Sequence, residues 1–162
     1  TSQHLQKMSG ENLIYSTKEG TSRVYHVKHS KVSMLWTTLQ NLSETINADV
    51  KKNRDLLCPP ELCSQKSIPQ IMKEIRNKSS LLIDIRPQKE FQNGCSRYAR
   101  SVPIETFKNE MKKFNKNKIY YLMCRGRFCL MANQAVKDMR KVGFECYRLA
   151  HSFYEFDFKS IN

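Results

Sequence analysis

The chain has 162 residues, of which 40% are hydrophobic and 27% charged. This is the composition of one globular domain, or of a domain with an extension, and not of a disordered chain. No apolar run approaches the roughly 18 residues of a membrane span, and five Gly and five Pro exclude a collagen-like or low-complexity chain. The formal net charge of +13 favours anionic partners. No basic stripe is interleaved with aromatics as single-strand binders require, so nucleic acid is the weaker partner reading and a solvated Lys-rich surface the simpler one.

In chain order, Thr1 to Glu11 are polar and expected to fray. Residues 12–16 and 22–28 alternate apolar and polar around Glu19-Gly20, which predicts a β-hairpin. From Lys31 to Val50, apolar residues recur at helical spacing (Val32, Leu35, Leu39, Leu42, Ile46), with Trp36 expected near the buried edge. The run Lys51 to Asp55 reads as a charged break, followed by Pro59-Pro60. A boundary therefore falls between an extension, 1–57, and a domain, 58–162. Eight basic and five acidic residues lie before it, and twenty basic and ten acidic after it.

The second part alternates helix and strand. A helix is expected over 68–76, with Pro69 in its first turn. Ser80 to Ile85 is a short, nearly all-apolar strand, and Val102 to Ile104 a strand or its end. A helix over 105–114, a buried strand over 118–123, a helix over 129–142 capped by Gly143, and a last buried strand over 144–149 complete the series. Such alternation predicts an α/β domain with a central parallel sheet flanked by helices, preceded by an N-terminal β-hairpin plus helix extension.

The informative junction is Cys124-Arg125-Gly126-Arg127-Phe128-Cys129. A cysteine at the carboxyl end of a buried strand sits where α/β folds place their ligands. The short loop then feeds a helix N-terminus, whose backbone N–H groups favour an anion, including a thiolate. With Arg125 and Arg127 beside it, Cys124 is expected to have a lowered pKa and to act as the nucleophile. Cys129 closes the loop that Cys124 opens. It reads either as a small residue at the helix start or as a second thiol able to resolve a persulfide or sulfenic acid on Cys124.

These residues resemble the rhodanese-like sulfurtransferases over roughly residues 65–158. The resemblance rests on I-D-I-R-P-Q-K-E-F (Ile83 to Phe91), on the six-residue cysteine loop and the helix after it, and on V-G-F-E-C-Y-R-L (Val142 to Leu149). It implies that Cys124 carries sulfane sulfur as a persulfide, with the loop backbone from Arg125 through Gly126, Arg127, Phe128 and Cys129 cradling the transferred group. It further implies that Arg125 helps to hold an anionic donor, and that Asp84 and Arg86 support the loop. On the residues alone, capping or turning the strand end is the equal alternative for Asp84. No metal and no cofactor are implied; the partners would be a small sulfur donor and a thiol or sulfur-carrier acceptor. The sequence departs from the family at Gly94 to Ser101, where a histidine and a second glycine are missing. It departs again at Ala150 to Phe156, which replaces a glycine-rich close. Inactive members show similar erosion, so a non-catalytic interaction or regulatory module is the alternative. The related phosphatase branch needs a longer loop and an arginine where Leu130 stands.

Cys58 and Cys63, with His26 and His29, could supply a two-Cys, two-His zinc set, but the wide gap favours packing instead. Six cysteines scattered in a chain this long point to a reducing compartment, cytoplasm or nucleus, rather than to a disulfide scaffold. The amino-terminal helix is expected to pack within the chain or to bind a protein partner through Leu35, Leu39, Leu42 and Ile46; the basic face is the other docking candidate.

Overall fold

A computed structural model describes residues 2–155. Thr1 lies outside it, as do residues 156–162, and with them Phe156 and the tail of the family resemblance. The chain divides into two compact units, Thr1–Ile46 and Asn47–Asn162. The extension expected over 1–57 therefore spans the first unit and the first helix of the second.

In the first unit, the segment expected to fray is a helix, α1 (Ser2–Gly10). It is anchored where composition gives little sign. Leu5 is half-buried, and the Leu13 N–H donates to the Met8 carbonyl at 2.9 Å, before Asn12 (φ 58°) turns the chain into the hairpin. Strands β1 (Ile14–Glu19) and β2 (Ser22–Val27) pair antiparallel, Ile14 opposite Val27 and Glu19 opposite Ser22. The two-residue turn needs a left-handed first position, and Gly20 at φ 62° supplies it. Helix α2 (Ser30–Ile46) follows, with Ser33 its buried residue. Trp36, expected near a buried edge, is 60% exposed, and Leu35, Leu39, Leu42 and Ile46 are each at least half exposed. Periodicity identified the helix; it could not say what covers its apolar row.

The second unit starts one residue later. The Asn47 side chain accepts from the N–H groups of Asp49 and Val50 and caps α3 (Ala48–Leu57). The run Lys51 to Asp55 is thus helix, not break; Lys51 and Lys52 lie on its solvated face, Arg54 pairs with Asp55 at 3.0 Å, and the true interruption is the capping Asn47. Helix α4 (Ile68–Arg76) begins with a reciprocal Ser67–Gln70 capping box and Pro69 in its first turn. Then come β3 (Ser80–Asp84), a short unanticipated α5 (Gln88–Gln92), β4 (Ala99–Ser101), α6 (Ile104–Met111), β5 (Ile119–Met123), α7 (Met131–Lys141) and β6 (Cys146–Arg148). The four strands are parallel in the order β4-β3-β5-β6. Strand β4 lies three residues before the expected one, and the Val102 N–H still continues its ladder to the Asp84 carbonyl.

Both faces of this sheet are buried, which is why β3 and β5 read as unbroken apolar runs. Leu82, Tyr121 and Met123 pack with Ile71 and Met72 of α4 on one face. Ile83, Tyr120, Leu122 and Cys124 pack with Phe107 of α6 and Ala132, Ala135, Val136 and Met139 of α7 on the other. Gly143, at φ 85°, ends α7 and returns the chain to the sheet. Leu122 is fully buried on a central strand. Leu122→Ala is expected to lower unfolding free energy by about 2–5 kcal/mol in urea titration, with an unchanged slope.

Candidate functional site

The site forms at the carboxyl ends of β3 and β5. Asp84 ends β3 fully buried, and its carboxylate does both jobs that the sequence left open. It accepts the Arg86 backbone N–H at 3.0 Å, which turns the strand end. It also takes the Arg86 guanidinium as a fork, Nε at 3.0 Å and Nη2 at 2.6 Å. Arg86 reaches on to the Gly94 carbonyl at 2.8 Å and lies 4.1 Å over the Phe153 ring. The pair therefore fixes the strand end to two loops beside the cysteine. Removing one partner would leave the other charge buried, at a cost of about 3–5 kcal/mol.

Cys124 follows β5 and is 1% exposed, its Sγ 4.0 Å from the Met131 Sδ. The chain turns back at once, with the Cys129 N–H donating to the Gly126 carbonyl at 3.1 Å. Gly126 adopts φ 109°, a conformation closed to L side chains, so this loop requires glycine for its backbone and not for space. Phe128 is partly exposed, Arg127 half-buried. Six residues thus bring Cys129 back to Cys124, and the two thiols share a hydrogen bond.

Within this pair Cys129 is the thiol favoured to ionise, whereas the sequence points to Cys124. Cys129 is lowered to about 5, first by the thiol hydrogen bond from Cys124, then by the backbone N–H groups of Met131 and Arg125 and by the Arg125 charge. Cys124 is pushed up, first because its proton is held by Cys129 and then by burial. Met131 is the first residue of α7, so the thiolate sits at that helix N-terminus, as expected of the loop if not of Cys124. Arg125, expected to hold an anionic donor, has its fork on Glu90: Nε lies 2.9 Å from Oε2, and Nη2 bonds Oε1. That contact lowers the Glu90 carboxyl and raises the guanidinium further. Both side chains are more than a third exposed, so the pair positions Arg125 more than it stabilises the fold.

One residue of the site was missed. Arg148 of β6 is fully buried, and its guanidinium donates to the carbonyls of Gly126 (3.0 Å), Arg127 (2.8 Å) and Leu57 (2.6 Å), and to the Asn133 side chain. The signal was present as a charge inside an apolar strand, which burial permits only with partners. Cys58 and Cys63, weighed as zinc ligands, do come together; among the described residues no cluster of three or more His, Cys, Asp or Glu is placed to hold a metal.

Alkylation of Cys129 by iodoacetamide, followed by peptide mass spectrometry, is expected to have a rate nearly constant from about pH 6 to about pH 8. The rate should fall as the pH drops through about 5, because protonation then removes the thiolate. A rate rising tenfold per pH unit across neutrality would place an ordinary thiol there.

Residues 67–159 match the model of the Rhodanese-like domain. The chain is 27% identical over 155 residues to the HTH-type transcriptional regulator Rv0324 of Mycobacterium tuberculosis, a match covering 95% of this chain and 68% of that protein. Among solved structures, a full-length protein from Lactobacillus plantarum superposes with a TM-score of 0.52 at 16% identity, over 64% of this chain and 88% of that one. The BH2092 protein from Bacillus halodurans gives 0.50 at 20% identity, over 57% and 69%. These two likenesses concern the fold alone. With a four-stranded parallel sheet, a cysteine loop at the end of β5 and a family match over more than half its length, the chain belongs to the rhodanese-like domain family.

Proposed function

We propose that this chain is part of a sulfur-responsive transcriptional regulator whose rhodanese-like domain takes up sulfane sulfur on the Cys124–Cys129 loop. The regulatory setting is supported by the match to an HTH-type regulator, which runs along 95% of the chain and so takes in most of the first unit. On this reading the chain approaches DNA through the first unit, while the exposed apolar row of α2 serves protein contacts.

The observation that carries the sulfur chemistry is the thiol pair itself: a buried thiol at the family's cysteine position, hydrogen-bonded to a thiolate. Cys124 attacks the outer sulfur of a donor R–S–S⁻. The donor S–S bond breaks, R–S⁻ leaves, and the Cys124 proton passes to the Cys129 thiolate. Cys124 then holds the sulfur as a persulfide, near the N–H groups of the loop and of α7. Two fates follow. An external thiol can take the outer sulfur, which is sulfurtransferase activity. Alternatively Cys129 attacks the inner sulfur, expels HS⁻ and closes a Cys124–Cys129 disulfide, which records exposure to sulfur without an acceptor.

Treatment with inorganic polysulfide and peptide mass spectrometry separates these steps. In the wild type, a persulfide on Cys124 or a Cys124–Cys129 disulfide is expected; Cys129→Ser should accumulate the Cys124 persulfide, and Cys124→Ser should carry neither. A wild type with no modification in the loop, and no thiosulfate:cyanide sulfurtransferase activity, would leave only the non-catalytic interaction module.

A further inference from the structure

A second pair of thiols lies behind the loop. Cys58 ends α3, its N–H donating to the Arg54 carbonyl at 2.7 Å. Pro59 and Pro60 then lead a single 3-10 turn, Pro60–Leu62, closed by the Cys63 N–H on the Pro60 carbonyl at 3.1 Å. The turn returns the Cys63 sulfur to 2.8 Å from the Cys58 sulfur, about 0.8 Å beyond a disulfide bond. Cys58 is buried, 4% exposed, whereas Cys63 is half-buried and is the side open to a small reagent.

The surroundings are cationic. The charges of Arg148, Arg54 and Arg127 all act on the Cys58 sulfur. Together with the Cys63 hydrogen bond, which is the largest influence, they lower Cys58 to about 7 against the cost of burial; Cys63 is correspondingly held protonated. Arg148 is the common element. Its Nε–H is buried with no hydrogen-bond partner, its Nη1 donates to the carbonyl of Leu57, next to Cys58, and its Nη2 holds the carbonyls of Gly126 and Arg127. A purely packed cysteine pair needs no such cation. A sulfur pair that shares one negative charge does.

The geometry points to a second redox-active dithiol in this protein: Cys58 and Cys63 exchange with low-molecular-weight disulfides and close into a reversible disulfide beside the cation that holds the active loop. This site is independent of sulfur uptake at Cys124. Cys63 attacks one sulfur of R–S–S–R while its proton passes to the Cys58 thiolate. The S–S bond of the small disulfide breaks, R–S⁻ leaves, and a mixed disulfide remains on Cys63. Cys58 then attacks the Cys63 sulfur, its proton going to the departing thiolate. Two protein thiols are oxidised to a disulfide, and one small disulfide is reduced to two thiols.

Both cysteines fall on one tryptic peptide, residues 55–66, since no Lys or Arg separates them. The full chain is incubated with oxidised glutathione, alkylated without reduction and mapped by mass spectrometry. The expected wild-type product is this peptide lighter by two hydrogens, unalkylated at both cysteines and restored by dithiothreitol, formed before any adduct on Cys95 or Cys146. Cys58→Ser is expected to stop at a glutathione adduct on Cys63. A wild-type peptide that stays fully alkylatable, or that carries a lasting glutathione adduct, would overturn the proposal. The wild-type measurement stands by itself if the variant fails to fold. Because the readout is confined to residues 55–66, it is unaffected by whether Cys124 takes up sulfur.

Discussion

Arg148 carries a full positive charge in an interior where an isolated ion would be very costly. It is tolerated because three carbonyls and an amide surround its guanidinium, two of those carbonyls belonging to the cysteine loop. The loop is therefore held from beneath by β6, while β5 launches it and α7 receives it. The Gly126 and Arg127 carbonyls are turned toward Arg148, and elsewhere in the same turn the N–H groups of Arg125 and Met131 act on the Cys129 sulfur. Asp84 and Arg86 repeat the arrangement at the end of β3, with a buried ion pair bracing neighbouring loops. Buried ions of this kind are weak evidence for stability but hold a geometry well.

The parallel sheet explains why these elements meet. Strand ends of β3 and β5 open on the same edge, and the crossover from β5 places a helix N-terminus directly after the cysteine. A six-residue loop is then short enough to fold Cys129 back on Cys124. Two thiols in contact in a cationic, N–H-rich pocket ionise as a pair, and the hydrogen bond between them, with burial and the N–H groups of Met131 and Arg125, sets which sulfur keeps the proton. The more buried Cys124 keeps it, and the more exposed Cys129 carries the charge.

Much of this is legible in the sequence. Strands β3 and β5 announced themselves because burial on two faces leaves no polar alternation, and α4 and α7 because each shows one apolar stripe. The loop and its motif neighbours Asp84 and Arg86 were visible as residue types at strand ends. Other features were hidden for physical reasons. Helix α1 is polar and held by few contacts, so composition read it as frayed. Lys51 to Asp55 looked like a break because charge is common both to loops and to exposed helix faces; Asn47, a good cap, was the better marker. The exposure of Trp36 and the α2 row is set by tertiary surroundings that periodicity does not contain. The order of thiol ionisation depends on where two N–H groups point, and the pairing of Cys58 with Cys63 on a turn that two prolines lead; spacing alone specifies neither.

Arg148 shapes the loop that ionises Cys129, and the rest of the site's chemistry depends on it. The most direct test of this role is site-resolved alkylation of Cys129 against pH in Arg148→Lys, with folding verified by circular dichroism. Lysine keeps the charge but loses the planar fork that spans two carbonyls. In this variant Cys129 is expected to titrate well above its wild-type value of about 5, moving toward an ordinary thiol. A folded Arg148→Lys protein in which Cys129 titrates as in the wild type would contradict it.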